Sequence, residues 1–201
     1  DPLFLNDLRK ELDVILEEKV EKQRQKKLDA FQDKLASLTF LDPACGSGNF
    51  LTETYLSLRR LENEAIRERY HGQTMLGAFV NPIKVSIQQF YGIEINDFAV
   101  TVATTALWIS EAQMLNETER IIHQDIDFLP LKSYTNITEG NALRIDWETV
   151  VPKDHLNYIM GNPPFVGYSL QSKNQKDDIL SVFVDVNGKP FKTAGKIDYV
   201  A

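Results

Sequence analysis

Four short apolar runs, each ending in polar or glycine-rich sequence, constrain this chain more than any other feature. Thr39-Phe40-Leu41 runs into Asp42 and a turn holding Gly46 and Gly48. Residues 90–95 carry Glu94 at their end, Ile137-Thr138 precedes Asn141, and residues 156–160 precede Asn162-Pro163-Pro164-Phe165. Residues 50–69 between the first two runs read as a helix, and Asn96 or Asp97 can cap another that extends to about Leu115. Strand and helix alternating in this way predict a parallel sheet with helices on both faces. The polar groups at the strands' carboxyl ends then open on one crevice. Singly, a glycine turn, a strand-end Glu or an Asn-Pro-Pro is ordinary loop chemistry. In this order they form a candidate site.

Ahead of the first strand, residues 2–38 are nearly free of helix breakers. Leu5, Leu8, Leu12 and Ile15 make one apolar seam, and Leu28, Phe31, Leu35 and Leu38 a second, which predicts one long helix or a helical hairpin. The charged run between them reads as a solvated helix face rather than a basic arm. Asp13, Glu17, Glu18 and Lys19 make a faint nuclease-like pattern, but at helical spacing and without a strand. The expected division is an N-terminal helical segment, 1–38, and an α/β catalytic part, 39–201.

With 201 residues, 43% of them apolar, the chain can bury one sizeable core, and no apolar run looks long enough to cross a bilayer. A net charge of -7 excludes a surface that binds nucleic acid all over, since phosphate affinity needs clustered Lys and Arg. The single cysteine, Cys45, cannot form an internal disulfide, which fits a cytoplasmic location. The chain opens at Asp1 without a signal segment and reads as part of a longer polypeptide.

Two phosphate-binding readings of the glycine turn fail in detail. A nicotinamide fingerprint needs a third glycine where Leu51 stands, and an acidic residue roughly 20 positions on rather than at Glu94. A P-loop needs Gly-Lys-Ser/Thr, but Asn49 and Phe50 follow Gly48. A ligand with ribose and adenine but no phosphate suits the turn: glycines admit close backbone approach, a carboxylate accepts from an ammonium, and Glu94 can take both ribose hydroxyls.

The stretches LDPACGSGNF, YGIEIN, GNAL and GNPPF, in this order, resemble the successive motifs of S-adenosylmethionine-dependent DNA methyltransferases that modify the N6 amine of adenine. FLDPACGSGNFLTETYLSLRRLE and GNPPFVGYSLQSK are similar to the methylase part of MmeI-like single-chain restriction-modification enzymes of type IIG or IIL. The resemblance spans residues 40–201 and implies a partial, doubly wound, Rossmann-like class I methyltransferase sheet. It also implies that Asp42, Ala44, Gly46 and Gly48 line the methionine end of S-adenosylmethionine, within a turn completed by Pro43, Asn49 and Phe50. Glu94 would hold the ribose, and Ile95 would pack on the adenine. Asn141, followed by Ala142, stands where the family often has Asp to bind the adenine amine. The Asn162 side-chain oxygen and the Pro163 carbonyl would accept the target amine's hydrogens, Pro164 would stiffen the loop, and Phe165 would stack on the base.

By the same resemblance the partner is double-stranded DNA, held mostly by regions outside this chain: a target-recognition region and, in some members, a nuclease domain. The target base would be flipped out of the duplex. No metal is expected. Further strands would follow the four here, so this piece alone is expected to be inactive. Rival readings are methylation of another planar nitrogen, such as a ribosomal RNA guanine or a release-factor glutamine, and a non-catalytic scaffold.

The remaining unusual residues have plainer readings. Cys45 is a small half-buried spacer rather than a nucleophile. His71, His123 and His155 lack ligand spacing, and Trp108 and Trp147 are packing residues. Asn187-Gly188 predicts a hairpin turn. Lys173, Lys176, Lys189, Lys192 and Lys196 read as a solvated surface loop, with phosphate contact the functional alternative.

Overall fold

The computed structural model describes residues 3–70, 81–126 and 135–200. His71 lies outside them. The N-terminal seams form a helical hairpin, α1 (Leu3–Leu16) and α2 (Glu21–Ser37). Leu8, Leu12, Ile15, Leu28, Phe31 and Leu35 are buried in the same core cluster as Phe40 and Phe90. Each such side chain contributes about 1.5–3 kcal/mol by leaving water, which fastens the hairpin to the sheet.

The sheet has four parallel strands, β1 (Phe40–Asp42), β2 (Phe90–Glu94), β3 (Asn136–Glu139) and β4 (Tyr158–Ile159), in the order β3-β2-β1-β4. Phe40 is in register with both Phe90 and Tyr158, so their rings stack across the sheet with centroids 5.0 and 5.3 Å apart. Two crossover helices, α3 (Asn49–Tyr70) and α4 (Asp97–Ile122), connect β1 to β2 and β2 to β3. The connection from β3 to β4 wraps the other face, where Leu41, Ile93 and Val151 form a second small core with Ile145 and Trp147. The sheet is therefore doubly wound. The cover on that second face is a turn-rich segment with one 3-10 turn, Trp147–Thr149, where the strand-helix alternation predicted helical cover. The side chains of Asn141 and Asp146 accept from Leu143 N and Glu148 N, local bonds that favour turns over helix, and Pro152 interrupts the segment.

Helix α4 departs from expectation twice. It continues past Leu115 to Ile122, because Thr118 and Ile122 are buried and no glycine or proline intervenes; His123, at φ 53°, ends it in the left-handed region. It is also 26 residues long and contains an 18-residue window with a mean hydropathy of 1.2, so by length and composition alone it could cross a bilayer, contrary to the reading of the sequence. As a crossover helix it buries Ala103, Leu107 and Met114 in the main core, while Phe98 and Ile109 stay exposed.

Helices α3 and α4 are joined by a buried polar cluster. Arg59, 1% exposed, pairs with Glu62, and its Nη2 donates to Thr118 Oγ1 at 2.7 Å. Glu62 in turn accepts from Lys84 N at 2.6 Å and Gln32 Nε2 at 3.3 Å. An ion pair taken from water needs such additional bonds to offset its desolvation.

Beyond β4 the chain forms a smaller unit: β5 (Phe165–Val166) antiparallel to β6 (Tyr199–Val200), with α5 (Lys173–Val182) between them in sequence. Lys173 and Lys176 thus lie on a helix, not the expected loop. Ser172 and Gln175 start it as a capping box, a signal present in the sequence. At Asn187-Gly188 the chain makes a tight turn, with Gly188 at φ 77° and one antiparallel bridge, Val184 to Pro190, rather than a full hairpin.

Candidate active site

The carboxyl ends of β1, β2 and β3 are laced together by backbone hydrogen bonds. Cys45 N donates to Ile93 O at 3.0 Å, and Gly140 N donates to Glu94 O at 2.8 Å. The turn after β1 enters α3 with Gly46 at φ 53° and Gly48 at φ 79°. A Cβ on Gly48 would stand 3.0 Å from that of Ala103, so the glycine lets the turn lie against α4.

Over these ends opens a cavity of about 630 Å³. Pro43, Ala44 and Gly46 line it from the β1 turn, Glu94 and Ile95 from β2, Asn141 and Ala142 from β3, and Asn162 and Pro164 from the loop after β4. The remaining predicted residues stand outside the lining. Asp42 lies buried behind the turn, Gly48 against α4, and Asn49 and Phe50 at the exposed start of α3. Pro163 is half-buried, and Phe165 opens β5 with 72% of its surface exposed.

Glu94 organises the near wall. Its Oε2 accepts from Gly46 N and its Oε1 from Asn96 N, both at 2.9 Å, so it ties the β1 turn to the start of α4. Two N–H bonds leave further lone pairs on this carboxylate for a diol. Asp42, 1% exposed, accepts from Ala44 N at 3.1 Å. Burial pushes its carboxyl up to about 6; the Ala44 bond opposes the rise and the charge of Glu94 adds to it.

The far wall comes from α5 and β6, through Asn174, Gln175, Asp178 and Tyr199, none of which the sequence singled out. Asp178 is 3% exposed and accepts from Asn141 Nδ2 at 2.9 Å and from Arg144 Nε at 2.5 Å. Burial, followed by the charge of Asp178, raises the pKa of the Tyr199 phenol. The capping box at Ser172 announces α5, but nothing in the sequence ties its Asp178 to Asn141.

The plainer readings fare as follows. Cys45 is buried at 6% exposure. Trp147 donates to Ala142 O at 2.8 Å and props the β3 loop from behind, while Trp108 packs against the main core. His123 caps α4, and His155 is exposed. Among the described residues no three His, Cys, Asp or Glu side chains gather as a metal-binding group.

The carboxylates of Glu94 and Asp178 and the apolar surfaces of Ile93 and Ile95 suit a phosphate-free ligand carrying positive charge, a ribose diol and a flat ring. Arg144, the cation on the lining, is already bonded to Asp178.

Comparison with known proteins decides the family. The family described as "MmeI, DNA-methyltransferase domain" matches residues 17–201. The chain belongs to that family. The MmeI-type domain is 40% identical over 195 residues to "DNA methyltransferase A" of Bacillus subtilis (strain 168), covering 90% of this chain and 21% of that protein. It is 30% identical over 120 residues to a putative type II restriction enzyme and methyltransferase of Methanocaldococcus jannaschii, covering 60% of this chain and 10% of that protein. Its fold matches the type IIL restriction-modification enzyme MmeI, solved in complex with DNA, at a TM-score of 0.86 and 41% identity, over 98% of this chain and 25% of that one. The chain thus spans a quarter or less of the relatives it matches.

Proposed function

We propose that this MmeI-type domain binds S-adenosylmethionine and, within the intact protein, transfers its methyl group to the N6 amine of an adenine flipped out of DNA. One observation carries the reading: Asn162 and Pro164 open on the same cavity as Gly46 and Glu94, so an acceptor amine and a methyl donor can meet there. When bound, the cofactor supplies an already activated methyl electrophile. The protein's work is on the nucleophile. An adenine amine is a weak nucleophile because its lone pair is delocalised into the ring, and two acceptors on its hydrogens localise that pair. The side-chain oxygen of Asn162 and the carbonyl of Pro163 are those acceptors, on a loop whose prolines limit its motion. Phe165, largely exposed, offers a face for the base. Glu94 and the β1 turn hold the donor, and the proton leaves the amine after transfer.

The test is to express the intact protein in a host lacking adenine methylases and quantify N6-methyladenine in host DNA, with Asn162→Ala as control. A signal lost in the variant supports the reading. No signal, with S-adenosylmethionine still bound, overturns the DNA assignment and directs the search to RNA or protein acceptors.

A further inference from the structure

The acidic character of this chain is unevenly distributed. Residues 1–164 hold 25 acidic side chains against 17 basic ones, whereas residues 165–201 hold four aspartates against five lysines. Arg144 offsets one of the four, Asp178. Asp185 and Asp198 are tied to backbone, accepting from Asn187 N and Lys189 N and from Tyr168 N. Among the described residues none of the five lysines pairs with a carboxylate, not even with Asp177 on the same helix, whereas Lys27, Lys34 and Lys84 elsewhere do. Two of the five stand at the candidate site. Asn174 and Gln175 line the cavity together with Asn162 and Pro164, and Lys173 and Lys176 flank them on α5.

Aromatic surface accompanies this charge. Tyr168, 42% exposed, lies in the turn between β5 and α5, and its ring centroid is 4.8 Å from Lys176 Nζ. The ring holds the ammonium in place without neutralising it, so its donors stay available to an anion. Phe165, just ahead, is also largely exposed. Three positions apart on a helix, Lys173 and Lys176 share a face with about 5–6 Å between their Cβ atoms, close enough to serve neighbouring phosphates. Solvation alone would account for the lysines but not for the exposed rings among them. Unpaired lysines interleaved with aromatic faces suit a nucleic-acid strand.

We infer that α5 grips the DNA strand that carries the target adenine: Lys173 and Lys176 bind backbone phosphates beside the target nucleotide, and Tyr168 is a positioning residue that holds Lys176 for this contact. The inference rests on the reading of DNA as the acceptor and puts part of the hold on the strand inside this chain. Phosphate contacts of this kind fix where the strand lies without reading its sequence. Placed on both sides of Asn174 and Gln175, they would set the target nucleotide at the mouth of the cavity that Asn162 lines.

Fluorescence anisotropy of the intact protein, with S-adenosylhomocysteine and a labelled duplex carrying the site modified in host DNA, tests this through the salt dependence of affinity. Neither lysine is buried, so glutamine in their place leaves the fold intact. Lys173→Gln with Lys176→Gln should weaken binding by about tenfold or more and reduce the slope of log affinity against log salt by about two. Tyr168→Leu should take away up to about one of those two, and Tyr168→Phe, which keeps the ring, should take away neither. The control is Lys22→Gln with Lys26→Gln on α2, where Gln25 donates to Arg69 O at the end of α3 away from the cavity; its slope should equal that of the wild type. An unchanged slope in the α5 pair, an equal fall in the α2 pair, or a fall seen with an RNA of the same sequence and not with the DNA would overturn the inference. A wild type that methylates DNA while the α5 pair keeps its slope overturns this inference alone, and a wild type that binds no DNA overturns the acceptor reading with it.

Discussion

A Cβ on Gly161 would stand 2.5 Å from Oδ1 of Asp42, so the loop carrying Asn162 rests directly on the carboxylate that ends β1. Asp42 is 1% exposed within the sheet and cannot move aside. Gly161→Ala therefore displaces the 162–165 loop. Misplacing reacting groups by about 1 Å costs on the order of 100-fold in rate, and a loss of that size is expected in single-turnover methylation by the intact protein. Cofactor affinity measured on the same variant should change far less. Unaltered turnover would mean that the loop can shift without consequence.

Asp42 also makes stability depend on pH. Its carboxyl is raised from 3.8 to about 6, so the folded chain binds this proton more tightly than the unfolded chain does. The sign follows: the stabilisation is fully present below about pH 4 and is lost as pH rises through about 6. The shift corresponds to about 3 kcal/mol at most. Asp42→Asn should be more stable than the wild type above about pH 7, with the gap closing toward pH 4, in urea denaturation at a series of pH values.

Cys45 should be inert in the folded protein. Burial, reinforced by the charges of Asp42 and then Glu94, pushes its thiol up to about 12, and only a thiolate alkylates readily. Iodoacetamide at pH 8 should label it after unfolding in guanidinium but not before, as read by intact mass. Labelling of the native chain within minutes would contradict its buried placement.

Asn162→Ala should separate binding from chemistry. Removing one preorganised hydrogen-bonding group from a reacting centre costs about 100- to 1,000-fold in turnover, and a loss of that order is expected here. Calorimetry should show cofactor affinity within about threefold of the wild type, since Glu94 and the β1 turn are untouched. A parallel fall in both would assign Asn162 to cofactor binding instead.

The parts of this fold that could be read in advance are those with local signals. Periodic apolar seams announced α1 and α2, and the Asn96 cap announced α4. Polar residues at strand ends pointed to one crevice. What could not be read depends on contacts between distant residues. Arg59 and Glu62 look like an exposed pair three positions apart on a helix, but they are buried because Thr118 and Gln32 come from other elements to meet them. The end of α4 at His123 carries no glycine or proline to mark it. Asp178 reaches Asn141 across 37 residues with no periodicity between them, so one wall of the cavity was missed. The strand-end residues at the cavity were anticipated from motif order, whereas Phe165 and Phe50 stand on surfaces beside it.

The buried Arg59 cluster also stiffens one side of the cavity. Severing Arg59 from Thr118 without water would leave a buried guanidinium N–H unpaired, although Glu62 on α3 itself still balances the charge, and that cost couples α3 to α4. Both helices begin at strand ends that line the cavity, which makes that half of the site an anvil. The opposite wall, α5 with β5 and β6, is moored to that half through the bonds that Asn141 and Arg144 make to the carboxylate of Asp178.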